Sequence, residues 1–183
     1  MIYTKSVVDL DVKLIQDIME LDMLVYPPHL RGSFDEIYGR FTANRDIFVL
    51  LFDKGKIIGY LCFFPVKDDL YERILAEDKL FDSDISAEMI ESYKSGRTYK
   101  LFLISAAIHP EYQRKGLSRR LLEGFHEFLQ KKNGENIGFS TALAAAVSPA
   151  GAHMCQKLGF AEIKRLPGDY ILYELSLDKF SNK

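Results

Sequence analysis

The feature that most constrains the fold is a buried strand followed closely by an amphipathic helix in the middle of the chain. Residues 99–108 form a continuous run of apolar and small side chains, which is typical of a central strand covered on both faces. From Gln113 onward, apolar residues recur at helical spacing as far as Leu129. The strand needs neighbouring strands and the helix needs a core beneath it, so this unit indicates an α/β or α+β layer domain.

The rest of the chain alternates in the same way. Strand patterns cover residues 3–8, 46–52, 56–64, 137–143, 160–164 and 170–177. Asp9 or Asp11 can cap a first helix, and Ser33 with Glu36 has the spacing of a capping box before a second. Ser148 precedes a proline and predicts the cap of a short last helix. The first helix is expected to bury one apolar face, made of Val12, Ile15, Met19 and Met23.

The stretch 65–98 is too long for a bare loop in a compact domain. It contains two helical patterns, one around Leu70 and Ile74 and one from Ile85 to Tyr93. We therefore interpret residues 1–183 as a single domain with a helical insertion at about 65–98.

Composition excludes several classes of function. The formal net charge is -2, so no global positive field attracts nucleic acid or an anionic membrane. No apolar run has the roughly 18 residues that a membrane span requires. The two cysteines, Cys62 and Cys155, lie far apart, and the four histidines lack metal-type spacing. We predict no metal, no nucleic-acid partner, no membrane contact and a cytoplasmic location.

The turn between the buried strand and the long helix is a candidate anion site. The first backbone N–H groups of a helix have no partner within it, and its N-terminal end is positive. Gly116 lets a ligand approach the backbone closely, while Arg114 and Lys115 add positive charge. A phosphate or pyrophosphate fits such a turn. It is neither a P-loop nor a dinucleotide-binding fingerprint, since it has only one glycine.

Two motifs resemble those of the GNAT (GCN5-related N-acetyltransferase) superfamily. Gln113-x-x-Gly116-x-Ser118 after a strand resembles its acetyl-CoA-binding motif, with Ser118 where Gly or Ala is usual, and Lys157-Leu158-Gly159-Phe160 resembles the end of its last helix. The resemblance implies a single mixed, mostly antiparallel central sheet flanked by helices, and acetyl-CoA as co-substrate. It assigns cofactor binding to Ala106, Ala107, Ile108, Gln113, Arg114, Lys115, Gly116, Leu117, Ser118 and Ser148.

The implied chemistry is direct attack of an amine on the thioester, with the oxyanion held by backbone N–H groups near Ala107 and Ile108. Ser148 stands where the family often has an Asn. Cys155 stands where the family often has the Tyr that protonates the leaving thiolate, so it is a candidate general acid, against the strong alternative that it is buried as a small hydrophobe on a helix. Residues 99–108 contain no carboxylate, whereas many members carry a Glu on this strand.

The general base is left open by the sequence. Three carboxylates of the insertion and three residues of the N-terminal helical region are candidates, and none is preferred: Asp84, Glu88, Glu91, Tyr26, His29 and Tyr38. His109 is interpreted as an exposed residue at the strand end rather than a catalytic one.

Three functions remain open at this stage. The first is an N-acetyltransferase acting on a small-molecule or peptide amine. The second is an acyltransferase with another acyl-CoA or acceptor on the same scaffold, and the third is a sensor that binds acetyl-CoA without turnover. We expect the insertion to cover the acceptor site, with Tyr71, Phe81 and Tyr93 either lining it or packing among themselves. A homodimer is the assembly that the resemblance suggests.

Overall fold

A seven-stranded sheet organises the residues that the computed structural model describes, which are 2–6 and 11–178. The strands are β1 (Tyr3–Lys5), β2 (Phe48–Asp53), β3 (Lys56–Val66), β4 (Thr98–Ile108), β5 (Gly138–Ala146), β6 (Ala161–Leu166) and β7 (Tyr170–Ser176). Their spatial order is β1-β2-β3-β4-β5-β7-β6. Only β4 and β5 pair in parallel, and every other neighbouring pair is antiparallel. The predicted single-layer, mostly antiparallel sheet flanked by helices is confirmed.

In the part of the chain that the structure describes, five helices cover the sheet: α1 (Val12–Val25), α2 (Phe34–Ala43), α3 (Asp68–Ala76), α4 (Leu117–Gly134) and α5 (Pro149–Lys157). Three predicted caps are confirmed. Asp11 accepts from the Lys13 backbone N–H, Ser33 forms the capping box with Glu36, and Ser148 accepts from the Gly151 N–H. These local signals fix where α1, α2 and α5 begin.

The two faces of the sheet carry separate hydrophobic clusters. One cluster joins the sheet to α1, α2, α3 and the insertion through residues such as Ile15, Phe41 and Phe64, none of which is exposed. The other joins it to α4 and α5 and includes Phe63 and Phe128, which are equally buried. Side chains alternate between the faces along each strand, so neighbours such as Phe63 and Phe64 enter opposite clusters.

The parallel pair β4 and β5 separates along its length. Residues 98–103 of β4 are in register with residues 138–144 of β5, and the pairing stops there. Beyond that point, residues 105–108 of β4 stay paired with β3 only, while the end of β5 stays paired with β7. A shift in the β3–β4 register between Cys62 and Phe63 marks a bulge at the same level. The result is an open wedge between two strands of one sheet.

Several sequence expectations are corrected by the structure. The buried face of α1 is formed by Leu14, Ile15, Ile18, Leu21 and Asp22, and the expected Val12 and Met23 are 51% and 56% exposed. Helix α1 is apolar on several sides, so more than one stripe satisfies helical spacing. Asp9 and the end of the predicted first strand lie outside the described residues.

The insertion contains one helix rather than two. Helix α3 is present, but the second pattern gives only a 3₁₀ turn at Ala87–Met89, and Ile90 instead forms an isolated bridge to Val66. Pairing with the end of β3 thus replaces the predicted helix. Helix α4 begins at Leu117 and not at Gln113, because both Arg114 and Gly116 adopt left-handed backbone angles, φ 59° and 73°, that cannot continue into a helix.

Candidate active site

A cavity of about 840 Å³ occupies the wedge between β4 and β5. One side is formed by the turn before α4 and by the start of α5. The other side is formed by the end of α1, by α2 and by residues 80–82 of the insertion. Because the sheet is open here, backbone groups of β4 that would normally bond a neighbouring strand face the cavity.

The turn before α4 presents backbone to this cavity. Arg114, Gly116, Leu117 and Ser118 all line it. Gly116 is the N-cap of α4 and makes no side-chain cap hydrogen bond, so the first N–H groups of the helix are not covered by a capping side chain. A Cβ placed on Gly116 would meet no atom within 4 Å, which leaves open space beside the backbone. The geometry suits an anion.

The neighbouring motif residues shape the turn instead of filling the cavity. The Gln113 side-chain amide lines the cavity edge and donates to the Ile108 carbonyl at 2.9 Å. Lys115 is exposed, does not line the cavity, and places its ammonium 5.3 Å from the centre of the Tyr112 ring. His109 accepts from the Glu111 N–H at 3.3 Å and so caps a 3₁₀ turn, consistent with its interpretation as a strand-end residue.

The peptide groups of β4 alternate between β3 and the cavity. The His109 N–H donates to Ile58 of β3 at 2.8 Å, and the Ala107 carbonyl faces Gly59 of β3 closely enough that a Cβ there would lie 2.9 Å from it. The peptide groups of Ala106 and Ile108 therefore face the wedge. Of the two residues expected to supply an oxyanion donor, Ile108 directs its N–H to the cavity and Ala107 does not.

A tyrosine from the end of α1 occupies the wedge at Ala106. The Tyr26 hydroxyl donates to the Ala106 carbonyl at 2.6 Å and accepts from the Ala106 N–H at 3.2 Å. The same hydroxyl lies 3.2 Å from Ser105 Oγ. Ser105 Oγ is 2.7 Å from the Tyr60 hydroxyl, which donates to Asp22 Oδ1 at 2.5 Å. These four side chains connect the open edge of β4 to a buried carboxylate.

Burial is the main influence on the pKa values of the hydrogen-bonded side chains that link β4 to Asp22. Asp22 is only 7% exposed, and desolvation raises its pKa to about 6, against the opposing effect of the Tyr60 hydrogen bond. Desolvation also raises the pKa of Tyr26 and, more strongly, that of Tyr60. At neutral pH both tyrosines are hydroxyl donors and Asp22 is a carboxylate close to its titration range.

The start and middle of α5 form the opposite wall. Ser148 and Cys155 both line the cavity, but the Ser148 hydroxyl is engaged in capping Gly151 at 3.1 Å. Burial raises the pKa of Cys155 to about 11. A thiol of that pKa is a weaker acid than an ordinary thiol, near 8.5, so protonating a leaving thiolate from Cys155 would be unfavourable. The acid role remains a prediction, and the structure favours packing.

The insertion contributes Leu80, Phe81 and Asp82 to the cavity. Of the three aromatic residues expected there, only Phe81 takes part. Tyr71 packs in the same cluster but donates to Glu174, and Tyr93 packs on the other face of the sheet against Tyr99 and Phe128. The insertion therefore closes one end of the cavity with a single aromatic ring.

The six residues that the sequence offered as general bases differ in whether they line the cavity. Tyr26 and His29 line the cavity, whereas Tyr38, Asp84, Glu88 and Glu91 do not. Asp84 pairs with Lys79 and Glu91 with Arg97. Sequence reasoning missed Asp22, Tyr60 and Ser105. The available signal was the spacing of Asp22 and Tyr26, four residues apart and hence on one face of α1 just before the prolines that end it.

Neither a metal centre nor a membrane anchor emerges from the described residues. In residues 2–6 and 11–178, no three His, Cys, Asp or Glu side chains group as a metal site would require. None of the helices in the same ranges has the length and apolar character to cross a bilayer. Cys62 and Cys155 are both buried and free.

The fold thus combines an open wedge in a mixed sheet with a glycine turn and an amphipathic helix that begins beside it. Residues 15–160 match the acetyltransferase (GNAT) family, and the chain belongs to that family. Membership indicates acyl transfer as the general chemistry. No curated protein sequence matches the chain significantly.

Solved structures share the fold over almost the whole chain. The loading GNATL domain of CurA from Lyngbya majuscula has a TM-score of 0.71 at 17% identity, covering 98% of this chain and 99% of that one. The GphF GNAT-like decarboxylase in complex with isobutyryl-CoA has a TM-score of 0.70 at 13% identity, with 97% and 99% coverage. The putative acetyltransferase yncA from Salmonella typhimurium, with its cofactor acetyl-CoA, has a TM-score of 0.59 at 18% identity, with 97% and 95% coverage.

Proposed function

We propose that this protein transfers the acetyl group of acetyl-CoA to an amine by direct attack. The observation that carries the proposal is the single cavity that joins the Gly116 turn, the wedge-facing Ile108 N–H and the end of α1. A pyrophosphate at the turn places the pantetheine arm along the open edge of β4, and the thioester then lies beside Tyr26. The acetyl-CoA bound to yncA supports the choice of donor.

The reaction needs few groups from the protein. The amine nitrogen attacks the thioester carbonyl, the C–N bond forms, and the C–S bond breaks as the CoA thiolate leaves. The Ile108 N–H is placed to donate to the oxyanion, and this is a transition-state interaction. The cofactor-binding residues of the proposal are Ile108, Arg114, Gly116, Leu117 and Ser118 at the wedge and turn, whereas both backbone groups of Ala106 are bonded to Tyr26. Ala107 and Gln113 support the backbone, and Lys115 adds only long-range charge.

The acceptor enters from the side formed by α1, α2 and the insertion. That side carries the charged residues Asp22, Arg40 and Asp82 together with the aromatic ring of Phe81. Arg40 is held by the carbonyls of Ile85 and Asp82 at 3.2 and 2.7 Å. We propose a small-molecule or peptide amine as acceptor, in a cytoplasmic setting that suits two free cysteines.

A second candidate is acyl transfer with a different donor or acceptor. This second candidate is supported by the likeness of the fold to the CurA loading domain and the GphF decarboxylase, at TM-scores of 0.71 and 0.70. Both likenesses are below 20% identity and concern the fold alone. A panel of acyl-CoA donors, with isobutyryl-CoA included, separates the two candidates by which thioester is consumed.

The proposal is tested by calorimetry and thiol release together. We expect the wild-type protein to bind acetyl-CoA and to release thiol only when an amine from a mixed panel is added. Binding without thiol release on any amine would identify a sensor and contradict the transferase. Release with another acyl-CoA, but not with acetyl-CoA, would favour the second candidate.

A further inference from the structure

The strand that forms the open edge of the wedge, β4, carries no carboxylate that could act as a base. Residues 99–108 of β4 contain neither Asp nor Glu. An amine that attacks a thioester must still lose a proton, and this loss needs an acceptor within hydrogen-bond reach or through a relay. Among the carboxylates lining the cavity, Asp22 is the one connected to β4 by an unbroken series of hydrogen bonds.

Three hydroxyl groups, those of Tyr26, Ser105 and Tyr60, connect the wedge to the Asp22 carboxylate. From the wedge inward, the distances are 3.2 Å from Tyr26 to Ser105, 2.7 Å from Ser105 to Tyr60 and 2.5 Å from Tyr60 to Asp22. Each hydroxyl can donate one proton and accept another, and its hydrogen can rotate between partners. In the structure the Tyr26 hydrogen is donated to the Ala106 carbonyl and Ser105 donates to Tyr26, so inward transfer begins when these two hydrogens rotate toward Ser105 and Tyr60, with every heavy atom in place.

We propose that Asp22 is the general base of the transfer and that Tyr26, Ser105 and Tyr60 relay the proton to it. The inference rests on the proposed acetyl transfer to an amine. In this proposal Tyr26 contacts the substrate nitrogen in place of the Ala106 N–H, from which its hydroxyl accepts at 3.2 Å in the structure. Asp22 acts at a distance from the reacting atoms.

The proton balance is complete without another reactant. After attack, the nitrogen of the tetrahedral intermediate is a strong acid and gives its proton to Tyr26. Once the Tyr26 hydrogen has rotated from the Ala106 carbonyl to Ser105 and the Ser105 hydrogen from Tyr26 to Tyr60, Tyr26 passes its own proton to Ser105, Ser105 to Tyr60 and Tyr60 to Asp22, which becomes neutral. The C–S bond then breaks, the CoA thiolate takes a proton from water, and Asp22 releases its proton to solvent before the next turnover.

The surroundings of Asp22 suit a base that works near neutral pH. Asp82 on the insertion raises the pKa of Asp22 and Arg31 lowers it, while burial outweighs both and brings it to about 6. The other titratable groups facing this region are Tyr26, Arg40, Tyr60 and Cys62. Within the described part of the chain, no ion pair involves Asp22. Burying a carboxylate without a cation costs free energy, and a role as base would account for its retention at this position.

The test compares three relay variants with two controls. The relay variants are Asp22→Asn, Tyr26→Phe and Ser105→Ala. The controls are Asp84→Asn and Tyr38→Phe, which change the same residue types outside the cavity. For each protein, kcat/KM is measured against pH with the best amine, and the acetyl-CoA Kd is measured by calorimetry.

For the wild type, we expect log kcat/KM to rise with a slope of about two below pH 6 and about one above it, because Asp22 and the amine both lose protons. Asp22→Asn should lower kcat/KM about 100-fold or more near neutral pH and leave a slope of about one throughout. Tyr26→Phe and Ser105→Ala should lower it about 10-fold or more, and all three should keep the acetyl-CoA Kd within about twofold.

Each other outcome is informative. Wild-type slope and rate in Asp22→Asn, Tyr26→Phe or Ser105→Ala would overturn the relay while the transferase stands. Equal losses in the controls, or a loss of acetyl-CoA binding that explains the loss of rate, would overturn it as well. Absence of turnover by the wild type on every amine would refute the transferase, and the relay with it.

Discussion

At the scale of single residues, the turn and the caps were predictable from sequence and the relay was not. Gly116, Ser148 and Ser33 act through their own backbone or through a neighbour within a few residues, so local chemistry identifies them. The relay instead depends on long-range contacts. Asp22 contacts Tyr60, 38 residues away in the sequence, and Tyr26 contacts Ala106, 80 residues away. The apolar pattern of α1 also gave no indication that Asp22 is buried, because a polar residue is normally assigned to the exposed face of a helix.

Stability should reveal the cost of burying Asp22. The pKa of Asp22 in the folded protein, about 6, lies above its ordinary value of 3.8, so the folded state binds the proton more tightly. The stability that the neutral acid contributes is complete below about pH 4 and is lost as pH rises through about 6.

Asp22→Asn should therefore raise the free energy of unfolding by about 1–3 kcal/mol near pH 8 and change it little near pH 4. Urea unfolding at both pH values measures this, with Asp84→Asn as the control. Destabilisation of Asp22→Asn at the higher pH would mean that the carboxylate is structural, and it would contradict this account of its burial.

Cys155 offers a second residue-scale prediction. With its pKa raised to about 11, it should act as packing. Cys155→Ala should lose about 1 kcal/mol of stability and keep kcat within about twofold. A drop in kcat of more than about tenfold, with the acetyl-CoA Kd unchanged, would restore the general acid role that sequence alone suggested.

At the scale of elements, the strands and most helices followed from periodicity, and the exceptions have identifiable causes. The end of the insertion contains helical spacing, but Ile90 finds a partner in Val66 of β3, and this long-range bridge replaces a helix. The delayed start of α4 follows from two left-handed residues, Arg114 and Gly116, and only the glycine adopts such angles without strain.

The turn before α4 can be tested against a matched glycine. Gly116→Glu places a carboxylate where we expect the pyrophosphate, so acetyl-CoA affinity should fall about tenfold or more. Gly96 has a similar φ of 80° and lies just before β4 begins, at the other end of that strand from the cavity. Gly96→Glu should carry the same backbone strain and leave affinity unchanged.

Calorimetry on the two folded variants compares them directly. Acetyl-CoA affinity at the wild-type level in both Gly116→Glu and Gly96→Glu would show that the phosphates do not bind at the turn. Equal losses in both would indicate that strain, and not charge at a phosphate site, weakens binding.

At the scale of the whole molecule, the fold class was predictable because a resemblance covers nearly the full order of elements. The wedge itself was not visible in any local pattern. It arises because β4 and β5 pair over residues 98–103 and 138–144 and then follow different neighbours, β3 and β7. The cavity between α1 and α5 is a consequence of that separation, which brings Tyr26 and Cys155 to opposite walls of one space.

The most direct test of the account is amide formation from acetyl-CoA. Wild-type protein is incubated with acetyl-CoA and each amine of a panel, and free thiol and acetylated amine are quantified together by absorbance and mass spectrometry. We expect thiol and amide to appear in equal amounts for at least one class of amine, and Gly116→Glu to be slower at limiting acetyl-CoA. Acetyl-CoA binding with no amide from any amine would contradict the account.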